Sequence, residues 1–334
     1  MDLETKKNLY NFVENRAGEC KILVVGDVML DQYYYGSVTR ISPEAPVPIN
    51  RVDKVKRALG GAANVAHNIS LLGANVSLIG FVGKDHHGVD LRRKLLERGI
   101  DPTNLIKTEN ATTTKIRVIG GHQQMLRLDF EDVIPADESQ TQRIFEIVDQ
   151  KILDGANVLI ISDYGKGVCT PQVCQRLINL CRDKNVQVVV DPKGTRWEKY
   201  SGASFITPNF NELNAVLEFP IENTGSEIES AARFVMDHFK IESVLATRSA
   251  QGMSLISRDS VMHIPTKAQD VYDVSGAGDT VIAVFSLALA GKIDPIAAAY
   301  LSNLAASVVV AKVGTYAVSR EELLNRIHES IGNS

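Results

Sequence analysis

No apolar run in the 334-residue chain reaches the ~18 residues that a membrane-spanning helix needs. The opening stretch MDLETKKNLYNFVENRAGE is polar and helical in pattern, without the apolar core of an export signal. The cytoplasm is therefore the expected location. Cysteine is scarce, and Cys20, Cys169, Cys174 and Cys181 suit neither a disulfide framework nor paired C-x-x-C zinc spacing. Cys174 and Cys181, on a predicted helix, read as buried thiols. Neither sign of charge dominates. Lys plus Arg number 36 against 40 Asp plus Glu, a net charge of −4, so nothing favours nucleic acid or an acidic membrane as a partner. The chain also lacks G-x-G-x-x-G, which argues against a dinucleotide enzyme, and G-x-x-x-x-G-K-[ST], which argues against a P-loop. The H-R-D and D-F-G pair of protein kinases is missing as well. With no internal repeat, low-complexity tract or long linker, residues 1–334 are expected to form one domain.

What the chain does contain is a rhythm. KILVVG, NVSLIGFVG, NVLIIS, VQVVVD, SFIT and SVLAT are short β-branched runs that alternate with helical segments. That alternation predicts an α/β fold, a mostly parallel sheet covered by helices on both faces. Two regions break the pattern. Residues 32–58 hold three consecutive tyrosines and then the proline-rich SPEAPVPINRVDKV. Residues 112–129, TTTKIRVIGGHQQMLRLD, read as two strands joined around Gly120–Gly121, with Lys115 and Arg117 on the polar face. Together they predict a small antiparallel β lid. Residues 1–20 form an N-terminal helical extension, and the His86–His87 pair reads as solvated surface.

The segment richest in chemistry is DVYDVSGAGDT, residues 270–280, followed at once by the apolar helix former VIAVFSLALA. Gly276, Ala277 and Gly278 would open that helix with almost no side chains, at the positive end of its dipole. Such a turn binds anions, phosphate above all. A cap explains Asp279 but not the Gly-Ala-Gly run beside it; a general base next to a moving phosphate explains both. Elsewhere Gly26 ends the first strand, and Asp27 and Asp31 could each accept hydroxyls of a polyhydroxylated ligand, with turn and cap roles as the rival reading. Gly60 and Gly61 precede a helix whose stripe is Val65, Ile69 and Leu72 and whose end is marked by Gly73. Asn64 lies one turn in. Asp191 ends a strand, with Lys193 beyond it as a point charge for phosphate or as solvated surface. Asn209 and Glu212 resemble a pair that holds hydrated magnesium and a phosphate oxygen, with helix capping as the rival.

GGAANVA with Gly73 downstream, and DVSGAGDT, resemble the two signatures of the PfkB (ribokinase-like) sugar kinases. The likeness runs from about Lys21 to Arg326, although Ser275 stands where that signature most often carries Thr. Within the family the chain is most similar to the D-glycero-β-D-manno-heptose 7-phosphate kinases of bacterial lipopolysaccharide-core synthesis. This rests on GDVMLDQYYYGSVTRISPEAPVPI, LRLDFE, SDYGKG, DPKGTRWEKY, TPNFNE and TRSAQGMSL. Many relatives carry a C-terminal nucleotidyltransferase; this chain stops at Ser334, so a stand-alone kinase is expected.

The resemblance implies a ribokinase-like fold and a set of roles. Asp279 would be the base, with Gly276, Ala277 and Gly278 as anion hole for the transferring phosphoryl group. Asn209 and Glu212 would serve the ATP phosphates and magnesium, the metal meeting Glu212 through water. Thr247, Ser249, Gly252 and Asn303 would surround the nucleotide, and Lys193 would meet a phosphate. Asp27, Asp31, Gly60, Gly61 and Asn64 would grip the sugar. Lys115, Arg117 and Arg127, with Lys166, are the cations available for a phosphate on the sugar itself. ATP and Mg²⁺ are the implied cofactors, with a monovalent cation as a further candidate, and the lid implies a homodimer. Two alternatives stay open: another kinase of this fold acting on an unphosphorylated sugar or nucleoside, and a sugar-sensing protein without catalysis. An intact Asp279 speaks against the second.

Overall fold

The computed structural model describes residues 1–266, 271–312 and 314–332, so Asp270 of the glycine-rich segment lies outside them. The chain enters as α1 (Leu3–Asn11), capped by Asp2, and continues through a π turn and a 3₁₀ turn to residue 19. It then builds β1 (Lys21–Gly26), β2 (Val28–Ile41), β3 (Pro48–Gly61), α2 (Ala62–Leu71), β4 (Asn75–Gly83), α3 (His86–Glu97), β5 (Leu105–Thr108), β6 (Thr114–Gly120) and β7 (Gln123–Phe130). The second half runs α4 (Glu138–Leu153), β8 (Val158–Ser162), α5 (Pro171–Asp183), β9 (Gln187–Asp191), β10 (Phe205–Ile206), α6 (Phe210–Ala215), α7 (Gly225–Phe239), β11 (Ser243–Thr247), β12 (Met253–Ile256) and β13 (Val261–Ile264). Three helices close the chain: α8 (Ala277–Ala290), α9 (Pro295–Val309) and α10 (Arg320–Gly332).

Nine strands form the main sheet in the order β13-β12-β11-β10-β9-β8-β1-β4-β5. Pairing is parallel from β5 through β11, and β12 and β13 add an antiparallel edge. Central strands bury both faces, which is why β1 reads as a continuous apolar run. Ile22 and Val24 enter one core with residues of α1, α2, α3, α8, α9 and α10. Leu23 and Val25 enter the other, with α4, α5 and α7. From β1 the chain first moves outward to β4 and β5, then returns to β8 and proceeds the other way. The switch point therefore lies between β1 and β8, where open parallel sheets place their ligands.

The second sheet has the order β3-β2-β6-β7. Its two hairpins, β2·β3 and β6·β7, are antiparallel as expected, but they join through a parallel contact between β2 and β6. The sequence offered no signal for that join, because it depends on where the main sheet delivers the two hairpins. Strand alternation gives this sheet two unlike faces. Asp31, Tyr33, Lys115, Arg117, Arg127 and Asp129 share one face. Val55, Val118, Leu126 and Leu128 lie on the other, and Val55, Leu126 and Leu128 are exposed.

His87 corrects one expectation. It is not solvated: α3 carries it under the second sheet, where its Nδ1 lies 3.1 Å from Gln32 Nε2 and its ring meets Phe130. Only His86 faces solvent. All four cysteines are free and buried. Among the described residues, no helix is long and apolar enough to cross a membrane.

Candidate active site

Helix α8 is buried from Asp279 to its end and points its N-terminus at the carboxyl edge of β1, β8 and β9. Gly276 is its N-cap, at φ +80°, and a Cβ there would lie 3.1 Å from Asn64 Nδ2. A side chain is disfavoured on both counts. Gly278 faces open space. Its N–H belongs to the first turn, which the helix itself leaves unpaired at the positive end of the dipole, whereas the Ala277 N–H donates to the Val274 carbonyl at 3.2 Å.

Asp279, the third helical residue, is 5% exposed. Its Oδ2 accepts from Asn64 Nδ2 at 2.7 Å, and its Oδ1 accepts from the Tyr164 hydroxyl at 2.5 Å. Burial pushes its carboxyl up to about 6, the Asp31 charge adds to the rise, and the hydrogen bonds from Tyr164 and Asn64 oppose it. A carboxylate with that value is ionised at neutral pH yet can hold a proton briefly, which is the property a general base needs.

On the side of the second sheet, Asp31 meets Arg117, whose Nη1 lies 2.5 Å from Asp31 Oδ1 and whose guanidinium covers the Tyr33 ring at 5.3 Å. Gly60 passes directly beside Asp31 of this pair, and Gly61 beside the backbone of Asp27. A Cβ at Gly60 would fall 2.5 Å from Asp31 Oδ2, and one at Gly61, φ +55°, would fall 2.4 Å from the Asp27 carbonyl oxygen. Asn64 follows in the first turn of α2 and reaches Asp279. Asp31, Gly60, Gly61, Asn64 and Asp279 thus converge.

Asp27 is placed otherwise than expected. It is 2% exposed, and its carboxylate accepts the backbone N–H groups of Tyr164 at 2.8 Å, Lys166 at 3.0 Å and Val168 at 3.1 Å. It holds the loop after β8, where the sequence suggested a grip on a sugar hydroxyl. The lid cations are also engaged. Lys115 lies 3.2 Å from Asp129 and 3.5 Å from Glu131, Arg127 binds both oxygens of Asp129, and Lys166 lies 2.8 Å from Glu131.

On the far side of Asp279, Asn209 and Glu212 form a reciprocal capping box at the start of α6. Asn209 Oδ1 accepts from Glu212 N at 2.9 Å, and Glu212 Oε2 accepts from Asn209 N at 3.1 Å. The capping role weighed against the metal role is therefore realised, and Glu212 Oε1 remains turned toward Lys193 Nζ at 3.4 Å. Thr247 bridges to Asn209, and Ser249 and Gly252 follow in the turn from β11 into β12. Asn303 on α9 is buried and donates to the Pro265 carbonyl at 2.8 Å, beyond the end of β13.

Two residues at this edge went unassigned in the sequence. Tyr164 touches Asp279 directly, and Asp191 lies close enough to Asp279 and Glu212 that burial and their charges hold its carboxyl well above the usual range. The available signal was position: SDYGKG and DPKG each follow a strand at the same edge as Asp27.

The pfkB family carbohydrate kinase pattern matches residues 20–322. The chain is 43% identical over 317 residues to bifunctional protein HldE of Shewanella sediminis, covering 95% of this chain and 65% of that protein. It is likewise 43% identical over 315 residues to bifunctional protein HldE of Hahella chejuensis, covering 93% and 64%. It thus spans less than two thirds of the length of these relatives. Among solved structures it resembles phosphofructokinase-2 from Escherichia coli in complex with potassium, with TM-score 0.74, 19% identity, and coverage of 94% and 99%. Arabidopsis thaliana ribokinase complexed with ribose and ATP gives TM-score 0.72 at 18% identity, covering 92% and 98%. The fold is ribokinase-like, and the chain belongs to the pfkB family of carbohydrate kinases, as an ATP-dependent sugar kinase.

Proposed function

We propose that this kinase transfers the γ-phosphoryl group of ATP to the anomeric hydroxyl of D-glycero-β-D-manno-heptose 7-phosphate, giving the 1,7-bisphosphate for ADP-heptose and lipopolysaccharide-core synthesis. The observation that carries the phosphoryl-transfer chemistry is Asp279, buried and hydrogen-bonded beside the open first turn of α8. Asp279 takes the hydroxyl proton while the N–H groups of Gly276, Ala277 and Gly278 neutralise the equatorial oxygens of the moving group. Asp31, Gly60, Gly61 and Asn64 hold the sugar, with Asp27 acting behind them through its loop. Thr247, Ser249, Gly252 and Asn303 line the nucleotide side, and Lys193 meets a phosphate.

Asp191 and Glu212 stand beside one lysine, Lys193, and the free hard oxygen of Glu212 suits Mg²⁺. Glu212 would hold the ion through water near Asn209, and the ion would neutralise phosphate charge. A monovalent cation is a further proposed cofactor. The chain works in the cytoplasm as one domain spanning 1–334, with 1–20 as an N-terminal extension. The exposed apolar row Val55, Leu126 and Leu128 supports a homodimer formed through the lid.

The heptose assignment rests on the sequence resemblance and on kinship with the bifunctional HldE proteins. One observation favours an unphosphorylated acceptor instead: Lys115, Arg117, Arg127 and Lys166 are each already paired with a carboxylate. An ATP-consumption screen across heptose 7-phosphates, hexose phosphates and free ribose separates the two. Turnover with the heptose 7-phosphate is expected; activity confined to free sugars would overturn that substrate and leave the kinase standing.

A further inference from the structure

We infer that Tyr164 is a positioning residue for Asp279, and that Asp27 and Asp163 serve the site by fixing the loop that delivers it. The inference rests on the reading of Asp279 as the base.

The loop after β8 is short, turns through Gly165 at φ +68° and Gly167 at φ +109°, and is only partly buried. Two carboxylates nevertheless clamp its backbone from below, both 2% exposed. Asp27 takes three of its N–H groups, as described above. Asp163 Oδ1 takes the Gly165 N–H at 2.7 Å, and its Oδ2 accepts from the Tyr200 hydroxyl at 2.7 Å and from Lys199. An ordinary turn needs no such fixation, since water satisfies exposed backbone. What the clamp secures toward the base is the phenol of Tyr164 on Asp279 Oδ1, while Lys166 of the same loop turns to Glu131.

That phenol can only donate. Burial, with the charges of Asp279, Asp191 and Glu212, raises its ionisation well above the ordinary tyrosine range. A hydrogen bond to a carboxylate favours the charged form. Asp279 needs that help, because it is buried and feels the charge of Asp31 from β2 and lies within reach of Asp191 from β9, while Glu212 from α6 bears on Asp191 and Tyr164. The compensating cations, Arg117 from β6 and Lys193 after β9, are paired with Asp31 and Glu212 rather than with Asp279. Asn64 from α2 supplies the other donor. Tyr164 and Asn64 each take one lone pair on a different oxygen, which fixes the carboxylate plane and leaves the remaining lone pairs for the sugar hydroxyl. When that hydroxyl attacks, its proton passes to an Asp279 oxygen and its oxygen bonds to phosphorus as ADP departs.

The test is the pH dependence of kcat/KM between pH 5 and 9 for Tyr164→Phe. The assay uses ATP with heptose 7-phosphate, or with the acceptor the screen identifies. Phenylalanine keeps the ring and removes only the donor. The acid limb, near pH 6 in the wild type, is expected to move up by roughly one unit. Activity then falls roughly fivefold at pH 6, approaches a tenfold loss near pH 5, and is nearly unchanged at pH 8.5. A limb that coincides with the wild type, whether the rate is unchanged or uniformly lowered, overturns the inference. Asp27→Asn loosens the clamp with the phenol in place, and a smaller movement in the same direction is expected. No movement there would remove Asp27 from the scheme. Asp279→Asn keeps the outcomes apart. If it retains wild-type turnover, the base assignment itself fails; if it is inactive while Tyr164→Phe leaves the profile in place, only the role of Tyr164 fails.

Discussion

Replacing Asp279 with asparagine is expected to make the ligand-free protein more stable above pH 6. The carboxyl is raised by burial from an ordinary 3.8 to about 6, so the folded state holds the proton more tightly than the unfolded chain. Below about pH 4 the group is protonated in both states and contributes no pH dependence. As the pH climbs from there through 6, the unfolded chain ionises first, and folding loses about 1.4 kcal/mol per unit. Above pH 6 the full cost, ~3 kcal/mol, is in place. Asparagine escapes it, with two offsets. Its amide sets a donor against Asn64 or Tyr164, a mismatch of ~1 kcal/mol. It also removes a charge from the first turn of α8, worth ~0.5 kcal/mol. Burial still wins, and the net gain is ~1–2 kcal/mol, or about 1.5–3 °C in Tm for a chain of 334 residues. Calorimetric melts of both proteins, without ATP or sugar, at unit steps from pH 4 to 8 give the difference curve. The gain should appear between pH 4 and 6 and then level off. A variant no more stable than the wild type at pH 8, or a difference independent of pH, would refute the claim that the fold holds Asp279 ionised at a cost to itself.

Arg117→Ala removes the partner of an Asp31 side chain that is only 9% exposed, and should cost ~2 kcal/mol in urea unfolding while raising KM for a phosphorylated sugar. Arg127→Ala, at a side chain 52% exposed, should cost no more than ~0.5 kcal/mol; equal losses in the two variants would contradict the pairing described. Glu212→Gln preserves the capping box, so its melting curve should match the wild type while Mg²⁺-dependent turnover drops and sugar binding without nucleotide holds. A collapse in sugar affinity would assign Glu212 to the acceptor side. Lysine at both Leu126 and Leu128 should convert the proposed dimer to monomer in sedimentation velocity, and a monomeric wild type would remove the lid interface altogether.

Much of this molecule was legible from local pattern. KILVVG, NVSLIGFVG and SVLAT coincide with β1, β4 and β11, because a strand buried on both faces must be apolar throughout. The Gly-Ala-Gly run, with Asp279 behind it, opens α8 as expected, because helix starts are written in the few residues that make them. Roles that depend on a partner distant in sequence were a different matter. Asp27 reads as a strand-end carboxylate in either role. Only the parallel pairing of β1 with β8 brings the N–H groups of residues 164–168 onto it, 137 to 141 positions away. Asp31 could not be known to meet Arg117 until β2 and β6 paired in parallel. The sequence by itself determined the α/β layering, the strand and helix starts and the glycine turn, since each follows from neighbours along the chain. Tertiary structure decided which carboxylates clamp a loop and which one, Asp279, is buried between two side-chain donors beside the helix start. Burial and hydrogen-bond partners set the charge of an acid, and both are properties of the space around it.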